Sequence, residues 1–147
     1  MSADQGTERT PFLSFKGVAL KGVGSSPVRG KALKWDRPIS FLGDVDPGTG
    51  DISRDGLTGN VRDRVLVFPE GAGSTVGSYV IYNLKLSGNA PRAMLMRKAE
   101  AIIVMGCIIA NIPLVHRIPE DQYESISTGD TVEVGPADGS IKLWKSD

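Results

Sequence analysis

The residues best suited to chemistry form a glycine turn, GAGS at residues 71–74, between an apolar strand and a predicted helix. Glycines let a backbone turn sharply and approach a ligand closely. Ser74 is expected at the N-cap of the helix, where unpaired N–H groups and the helix dipole favour a carboxylate, a phosphate or an alkoxide. Thr75 and Ser78 add hydroxyls to the first helical turn. A plain helix cap is an equal alternative on this pattern alone, because turns of this type are common.

The other reactive side chains are scarce, with one cysteine, Cys107, and one histidine, His116. A single cysteine excludes an internal disulfide, and it excludes a zinc or iron–sulfur site built from this chain alone. Cys107 lies in an apolar run and is interpreted as a buried, inert thiol. No histidine lies near Ser74 in the sequence to activate it in the hydrolase manner, and His116 is interpreted as structural. No metal ligand is assigned to this chain, so any metal must be bound by another chain.

The elements around the glycine turn alternate between strands and helices. Apolar runs predict strands at residues 64–68, 93–96 and 112–115. A periodic apolar stripe predicts a helix over 75–87, and a run that is apolar all round predicts a buried helix over 99–110. Alternation of this kind indicates parallel pairing with right-handed crossovers. Further strands are predicted at residues 15–20 and 30–35 and in a C-terminal hairpin over 131–143. The expected fold class is α/β, with a small parallel βαβαβ unit flanked by antiparallel strands.

Two segments stand apart from this pattern. Residues 36–60 are rich in glycine, proline and aspartate and predict a long loop. A loop of that length within a compact domain is usually functional. Residues 1–12 are polar and predict a flexible leader, so the expected organisation is a leader at 1–12 and a single domain at 13–147.

Composition narrows the class of protein. The chain has 147 residues, of which 40% are apolar and 23% are charged, as in globular proteins. Its 17 basic and 17 acidic residues balance, and without a basic tract a nucleic-acid surface is not expected. The longest apolar run is too short to cross a bilayer. The polar N-terminus lacks the apolar core of a signal peptide, so a cytoplasmic location is expected.

Several longer motifs carry a resemblance to a known family. They are PISFLGDVDPGTG at 38–50, VLVFPEGAGSTVGSY at 65–79, NAPRA at 89–93 leading to AEAI at 99–102, and STGD at 127–130. Together they resemble the small subunit, or swivelling domain, of the aconitase X family, from about residue 17 to the C-terminus. This resemblance implies a swivelling β/β/α fold.

The resemblance also implies an activity. Members of the family remove water either from 5-phosphomevalonate, in archaeal isoprenoid synthesis by the mevalonate pathway, or from cis-3-hydroxy-L-proline in bacteria. A separate small chain resembles the archaeal dehydratase more, with trans-anhydromevalonate 5-phosphate as product. A large subunit is implied as partner, in a heterodimer or a higher assembly. That subunit would hold the cofactor, an iron–sulfur (4Fe–4S) cluster or iron, while the small subunit supplies the serine matching Ser74.

The reaction that the resemblance implies suggests roles for individual residues. Dehydration of a β-hydroxy acid needs a base, a Lewis acid for the leaving hydroxide, and donors for the carboxylate. Ser74 is expected to be the base, acting as an alkoxide, with Gly73, Thr75 and Ser78 binding substrate. The segment at 36–60 is expected to pack on the large subunit and close the site. Its residues expected near that interface are Ser40, Phe41, Asp46 and Thr49.

Two departures from the family pattern bear on these roles. Ala72 stands where the family usually has a basic residue, as in Gly-Arg-Gly-Ser, and RDG at 54–56 replaces a segment that usually carries histidine and proline. A non-catalytic scaffold domain that only caps a partner is the rival interpretation. A phosphohistidine carrier domain is a third, but it needs a histidine in an exposed loop, and His116 follows an apolar strand.

Overall fold

The fold is built on a mixed eight-stranded sheet, seen in a computed structural model that describes residues 9–146. The strands are β1 (Leu13–Lys16), β2 (Val18–Ala19), β3 (Val28–Lys34), β4 (Asp51–Arg54), β5 (Leu57–Asn60), β6 (Val65–Phe68), β7 (Ala93–Met96), β8 (Leu114–His116), β9 (Thr131–Gly135) and β10 (Ser140–Trp144). The helices are α1 (Phe41–Asp44), α2 (Gly77–Leu86), α3 (Ala101–Ala110) and α4 (Glu120–Ser125). Strands β4 and β5 form a separate two-stranded hairpin.

The strand order is β1-β10-β9-β3-β6-β7-β8-β2, with a parallel centre. Strands β3, β6, β7 and β8 pair in parallel. The strands on both sides of this centre pair antiparallel. Helices α2 and α3 connect β6 to β7 and β7 to β8. The predicted fold class, a parallel βαβαβ unit flanked by antiparallel strands, is therefore confirmed.

The hydrophobic core occupies both faces of the sheet. Every residue of β6 and β7 is buried, as expected of parallel strands covered on both sides. One cluster joins the sheet to α1, α2 and α3, with Phe41, Ile81 and Ile103 among its members. The second cluster lies on the other face and includes Tyr123 of α4. This packing fixes the carboxyl ends of β6 and β7, and therefore the loops that follow them.

The segment at 36–60 is more regular than expected. It contains α1 and the β4–β5 hairpin, whose turn has positive φ at Asp55 (51°) and Gly56 (84°). Two consecutive positive φ values are typical of a type I′ hairpin turn, which favours Asp-Gly. The prediction of a long irregular loop is therefore wrong at this hairpin. Helix α4 was not predicted either, because six residues are too few to show a periodic apolar stripe.

The predicted leader falls largely on residues 1–8, which lie outside the described residues. The last residues of the predicted leader lie beside strand β10. The indole N–H of Trp144 donates to the carbonyl of Arg9 at 2.9 Å, and Phe12 N–H donates to the carbonyl of Leu143 at 2.8 Å. The boundary at residue 12 stays a prediction. No helix within residues 9–146 has the length and apolar character needed to cross a membrane.

Candidate active site at the glycine turn

The glycine turn leaves the carboxyl end of β6 and enters α2, at the edge of the sheet where parallel α/β folds commonly bind ligands. Gly73 has φ +87°, and a Cβ on it would lie 2.6 Å from Ser40 Oγ. The turn therefore needs glycine at this position for both its backbone conformation and its close approach to Ser40. Ile39 carries the preceding segment alongside the turn: its N–H donates to the Glu70 carbonyl at 3.1 Å, and its carbonyl accepts from Ala72 N–H at 2.9 Å.

Ser74 opens a turn that leads into α2, but it is not the N-cap that the sequence predicts. The regular helix begins at Gly77, with Val76 as N-cap and no side-chain cap hydrogen bond. Ser74 Oγ accepts from Val76 N–H at 3.1 Å, and the Ser74 carbonyl accepts from Gly77 N–H at 3.0 Å. The regular helix begins later than predicted because residues 74–77 form a tight turn first. The hydroxyl nevertheless satisfies a backbone donor in the way that a capping serine would.

A cavity of about 180 Å³ opens beside this turn. It is lined by Phe41, Gly71, Ala72, Gly73, Ser74, Gly77, Glu100, Ile102 and Ile103. Complete small-molecule sites usually enclose roughly 300–1,000 Å³. The cavity is therefore the size of part of a site, which a second surface would have to complete.

The backbone groups at the cavity favour an anion. Within residues 9–146, no group accepts a hydrogen bond from the backbone N–H of Gly73 or of Ser74. The first turn of α3, which has no side-chain cap, lines the cavity through Ile102 and Ile103. Two helices thus begin at this point, and the positive ends of their dipoles attract negative charge. Carboxylate or phosphate oxygens of a ligand could accept from these N–H groups.

Glu100 is the cavity residue to which sequence reasoning gave no role. It is half-buried, and its Oε2 accepts from Gly71 N–H at 3.1 Å. One signal could have found it: an acidic residue at the start of an otherwise uncharged helix, after the strand that neighbours β6. The carboxyl ends of adjacent parallel strands meet at one edge of the sheet, so their loops converge.

Two of the residues predicted to close the site adjoin the cavity. Phe41 lines it and packs edge-to-face on Phe68, with ring centroids 6.0 Å apart. Ser40 contacts Gly73, and its Oγ accepts from Gly43 N–H at 3.3 Å. Their backbone is fixed in part by Asp44, whose Oδ2 accepts from Ser40 N–H at 3.0 Å.

Asp46 and Thr49 lie elsewhere, in the turn before β4. Asp46 Oδ1 accepts from Gly48 N–H at 2.9 Å, and Thr49 Oγ1 accepts from Asp51 N–H at 3.1 Å. The same turn is joined to Asn89, whose Nδ2 donates to the Pro47 carbonyl at 3.1 Å. Asn89 follows the C-terminal end of α2, whereas Ser74 precedes its N-terminal end. Asp46 and Thr49 are therefore not brought together with Ser74, and their place at an interface stays a prediction.

The predicted substrate-binding hydroxyls differ in exposure. Thr75 is exposed on the turn. Ser78 is only 5% exposed, and its Oγ donates to the Thr75 carbonyl at 3.2 Å. Neither side chain lines the cavity in the described part of the chain. Their role as substrate-binding groups stays a prediction, and the Ser78 hydroxyl could donate to a substrate oxygen only by turning away from this carbonyl.

Cys107 and His116 have structural surroundings. Cys107 is fully buried, which raises the pKa of its thiol to about 12, so the prediction of a buried thiol is confirmed. His116 Nδ1 accepts from Ala99 N–H at 3.3 Å. Burial, and secondarily the charge of Arg117, lower the pKa of His116. Across residues 9–146, no three His, Cys, Asp or Glu side chains come close enough to hold a metal ion.

Comparison with known proteins finds similarity over most of the chain. Residues 18–143 match the family described as the aconitase X swivel domain. The phosphomevalonate dehydratase small subunit of Thermococcus sibiricus is 46% identical over 131 residues, which cover 86% of this chain and 98% of that protein. The protein of the same name from Methanocella arvoryzae is 52% identical over 117 residues, covering 78% and 89%.

Solved structures agree with this similarity. The crystal structure of Thermococcus kodakaraensis aconitase X in its holo-form is 36% identical, with a TM-score of 0.82, covering 90% of this chain and 99% of that one. A UPF0107 protein solved by solution NMR is 40% identical, with a TM-score of 0.81, covering 90% and 100%. Fold and sequence therefore point to the same group of proteins.

Proposed function

Because the chain belongs to the aconitase X swivel-domain family, as its motifs indicate, we propose that it is the small subunit of a phosphomevalonate dehydratase. The observation that carries this proposal is the 46% identity to a relative of that name over 98% of the relative's length. The reaction removes water from (R)-5-phosphomevalonate and gives trans-anhydromevalonate 5-phosphate. The cytoplasmic location expected from the sequence stays a prediction.

Ser74 is assigned as the base. Its Oγ takes the proton from the carbon next to the substrate carboxylate; the electrons of that C–H bond form the double bond as hydroxide leaves the neighbouring carbon. A serine hydroxyl must lose its own proton to do this, and two features favour the resulting alkoxide. Val76 N–H already donates to Oγ at 3.1 Å, a hydrogen bond that strengthens when the acceptor is charged. The start of α2 adds the positive end of a helix dipole.

The free N–H groups of Gly73 and Ser74 are assigned to the substrate carboxylate. Negative charge grows on this carboxylate as the proton leaves, so fixed donors stabilise the transition state more than the ground state. Donors of this kind need no rearrangement during the reaction, because the contact of Gly73 with Ser40 and the Ile39 hydrogen bonds already set the turn.

The iron–sulfur cluster expected of such enzymes does not fit this chain. Its one cysteine, Cys107 of α3, is buried in the core, and a cluster is held by several thiolates. The cluster is therefore assigned to the large subunit, where it would supply the Lewis acid for the departing hydroxide.

An exposed apolar surface, here called the helical face, is assigned as the contact site for the large subunit. It consists of outward side chains of α2 and α3: Tyr79, Tyr82, Leu86, Met105, Ile108 and Ile109, which are 37–66% exposed. Helix α3 carries no charged residue and packs against α2, and large exposed apolar patches usually mark an interaction site. The occupant is the large subunit because the same two helices begin at the cavity, which needs a second surface to be completed. Leu42, 52% exposed next to Phe41, extends the contact to α1.

The test of the proposed function is reconstitution. This chain is co-expressed with its large-subunit partner, purified without oxygen, and assayed with 5-phosphomevalonate and with cis-3-hydroxy-L-proline. Turnover of 5-phosphomevalonate by the complex, and by neither chain alone, is the expected result. Preference for cis-3-hydroxy-L-proline would assign the other activity of the family. Turnover by this chain alone would contradict the shared site.

The helical face is tested separately with Met105→Glu. Met105 is 56% exposed, so the charge should leave the isolated fold intact but prevent burial against the large subunit. Co-elution of the two chains is expected to be lost. Phe12→Glu is the control, since Phe12 is 64% exposed and precedes β1, at the edge of the sheet opposite to β8 and β2. A Met105→Glu chain that still forms an active complex would place the interface elsewhere.

A further inference from the structure

Glu100 uses its side chain in an unusual way for its position. It is the N-cap of α3, yet its carboxylate makes no hydrogen bond to the first turn of that helix. The carboxylate instead crosses to the glycine turn, where Oε2 accepts from Gly71 N–H at 3.1 Å. The half-buried carboxylate therefore links the loop after β7 to the loop after β6, inside the cavity that holds Ser74.

Gly71 and Glu100 fit each other sterically. A Cβ on Gly71 would lie 3.0 Å from Glu100 Cδ and 2.8 Å from Ile103 Cγ1, and closer still to Glu100 Oε1. Contacts this short would force the carboxylate or the turn to move. Position 71 therefore needs glycine because Glu100 lies so close to it. The backbone conformation alone does not require glycine, since the φ of Gly71 does not lie in the left-handed region.

The hydrogen bond completes the support of the turn. On one side, Ala72 N–H donates to the Ile39 carbonyl at 2.9 Å; on the other, Gly71 N–H donates to Glu100. These two bonds use the N–H groups of Gly71 and Ala72 internally. The next two N–H groups along the turn, those of Gly73 and Ser74, have no acceptor among the described residues and are available to a ligand.

We infer that Glu100 is a positioning residue for the dehydration: its carboxylate holds the glycine turn so that the Ser74 hydroxyl and the neighbouring free N–H groups face the substrate. The inference rests on the proposed function for the reaction it serves. Glu100 affects the reaction through its hydrogen bond to Gly71 and does not itself contact the reacting atoms. Misplacement of a reacting group by about 1 Å can cost on the order of 10²-fold in rate.

Two substitutions separate a hydrogen-bond acceptor from a charge. Glu100→Ala removes the acceptor and is expected to lower kcat of the reconstituted complex by about 10²-fold, with a smaller change in KM. Glu100→Gln keeps an amide oxygen that can accept from Gly71 N–H, so its kcat is expected to recover to within about tenfold of wild type. The pH dependence of kcat should be unchanged in the Gln variant.

Glu70 offers a matched control. It is an exposed glutamate next to Gly71, and its Ala and Gln variants make the same changes without removing the link to the turn. Both should keep normal turnover. An equal loss of kcat in Glu100→Gln and Glu100→Ala, together with loss of the acidic limb of the pH profile of kcat, would contradict the inference. It would show that Glu100 acts as a charged acid or base. Normal turnover by Glu100→Ala would overturn the inference as well.

Hydrogen exchange tests the same idea without any activity. In the complex, the Gly71 amide should be protected from exchange in wild type and in Glu100→Gln but should lose this protection in Glu100→Ala. The Ala72 amide, which donates to the Ile39 carbonyl, should stay protected in all three. Unchanged protection of Gly71 in Glu100→Ala would contradict the positioning role. If the wild-type complex did not dehydrate 5-phosphomevalonate, the proposed function would fail, but this exchange result would still decide whether Glu100 holds the turn.

Discussion

Replacing Ser74 with alanine separates the catalytic interpretation of this residue from the structural one. The substitution removes Oγ and its hydrogen bond from Val76 N–H, 3.1 Å long, on a half-exposed turn. Losing such a capping bond costs about 0.5–2 kcal/mol, which a domain with roughly 5–15 kcal/mol of stability survives. The melting temperature should fall by about 2–4 °C for each kcal/mol lost. Thermal unfolding followed by circular dichroism measures this part.

The kinetic effect should be much larger if Ser74 is the base. A positioned proton acceptor contributes about 10²–10⁴-fold in rate, which corresponds to roughly 3–5 kcal/mol of activation free energy at 1.36 kcal/mol per tenfold. We therefore expect kcat of the Ser74→Ala complex to fall by at least about 10²-fold while substrate still binds. A cap alone predicts normal kcat for the folded fraction. Near-normal turnover by the complex would refute the assignment of Ser74 as the base, although it would leave membership of the family untouched.

Ser78→Ala is the matched control, because it deletes the same atom four residues along the chain. The Ser78 hydroxyl is buried and donates to the Thr75 carbonyl, so kcat should change little. A raised KM with normal kcat would support its predicted role in substrate binding. A collapse of kcat equal to that of Ser74→Ala would mean that the loss reflects damage to this end of α2.

Three further predictions concern the turn and the fold. Gly73→Ala should destabilise the domain by about 1–2 kcal/mol in urea unfolding and lower kcat, because φ is +87° and the added Cβ meets Ser40 Oγ. Ala72→Arg, at an exposed position, should keep the fold and lower KM for the phosphorylated substrate; loss of activity would indicate a turn built differently from that of the family. Asp130→Asn should lower stability at pH 7 by about 1–3 kcal/mol. Burial alone would raise the pKa of Asp130, but hydrogen bonds from Lys145, Ser146 and Ser127 outweigh it and lower the pKa below 3.8. This contribution is present above pH 3.8 and lost as the pH falls through the lower folded pKa, so the difference between variant and wild type should shrink in acid.

The central α/β unit could be predicted because its elements have long apolar patterns. Strand β7 begins and ends where the apolar run at 93–96 indicates. Helix α2 begins two residues later than predicted, because the tight turn after Ser74 precedes regular helical hydrogen bonds. The apolar stripe that predicts this helix consists of Val76, Val80 and Leu84. Val80 and Leu84 are buried, as predicted, whereas Val76 is 44% exposed.

The rest of the site depends on contacts between distant segments, which leave no local pattern. The carboxylate of Glu100 reaches an N–H group 29 residues earlier in the chain. Ile39 joins the same turn through backbone atoms alone, and backbone hydrogen bonds do not require a particular side chain. The β4–β5 hairpin escaped prediction because its short strands contain few apolar residues: only Ile52 in β4 is buried. Sequence thus located the serine and its turn, whereas tertiary structure was needed to find what holds them.

The side chains around the cavity explain why this site would need a second chain. Of the described residues that line it, none has a cationic side chain; they offer one hydroxyl, one carboxylate, backbone N–H groups and apolar groups. A substrate with both a carboxylate and a phosphate carries several negative charges, and Glu100 repels rather than neutralises them. Backbone N–H groups at two helix starts can hold one anionic group. The remaining charge requires cations from elsewhere, all the more because Ala72 stands where the family usually has a basic residue. Under the proposed function, this chain would therefore supply a base and carboxylate donors, and the large subunit would supply phosphate-binding cations together with the Lewis acid.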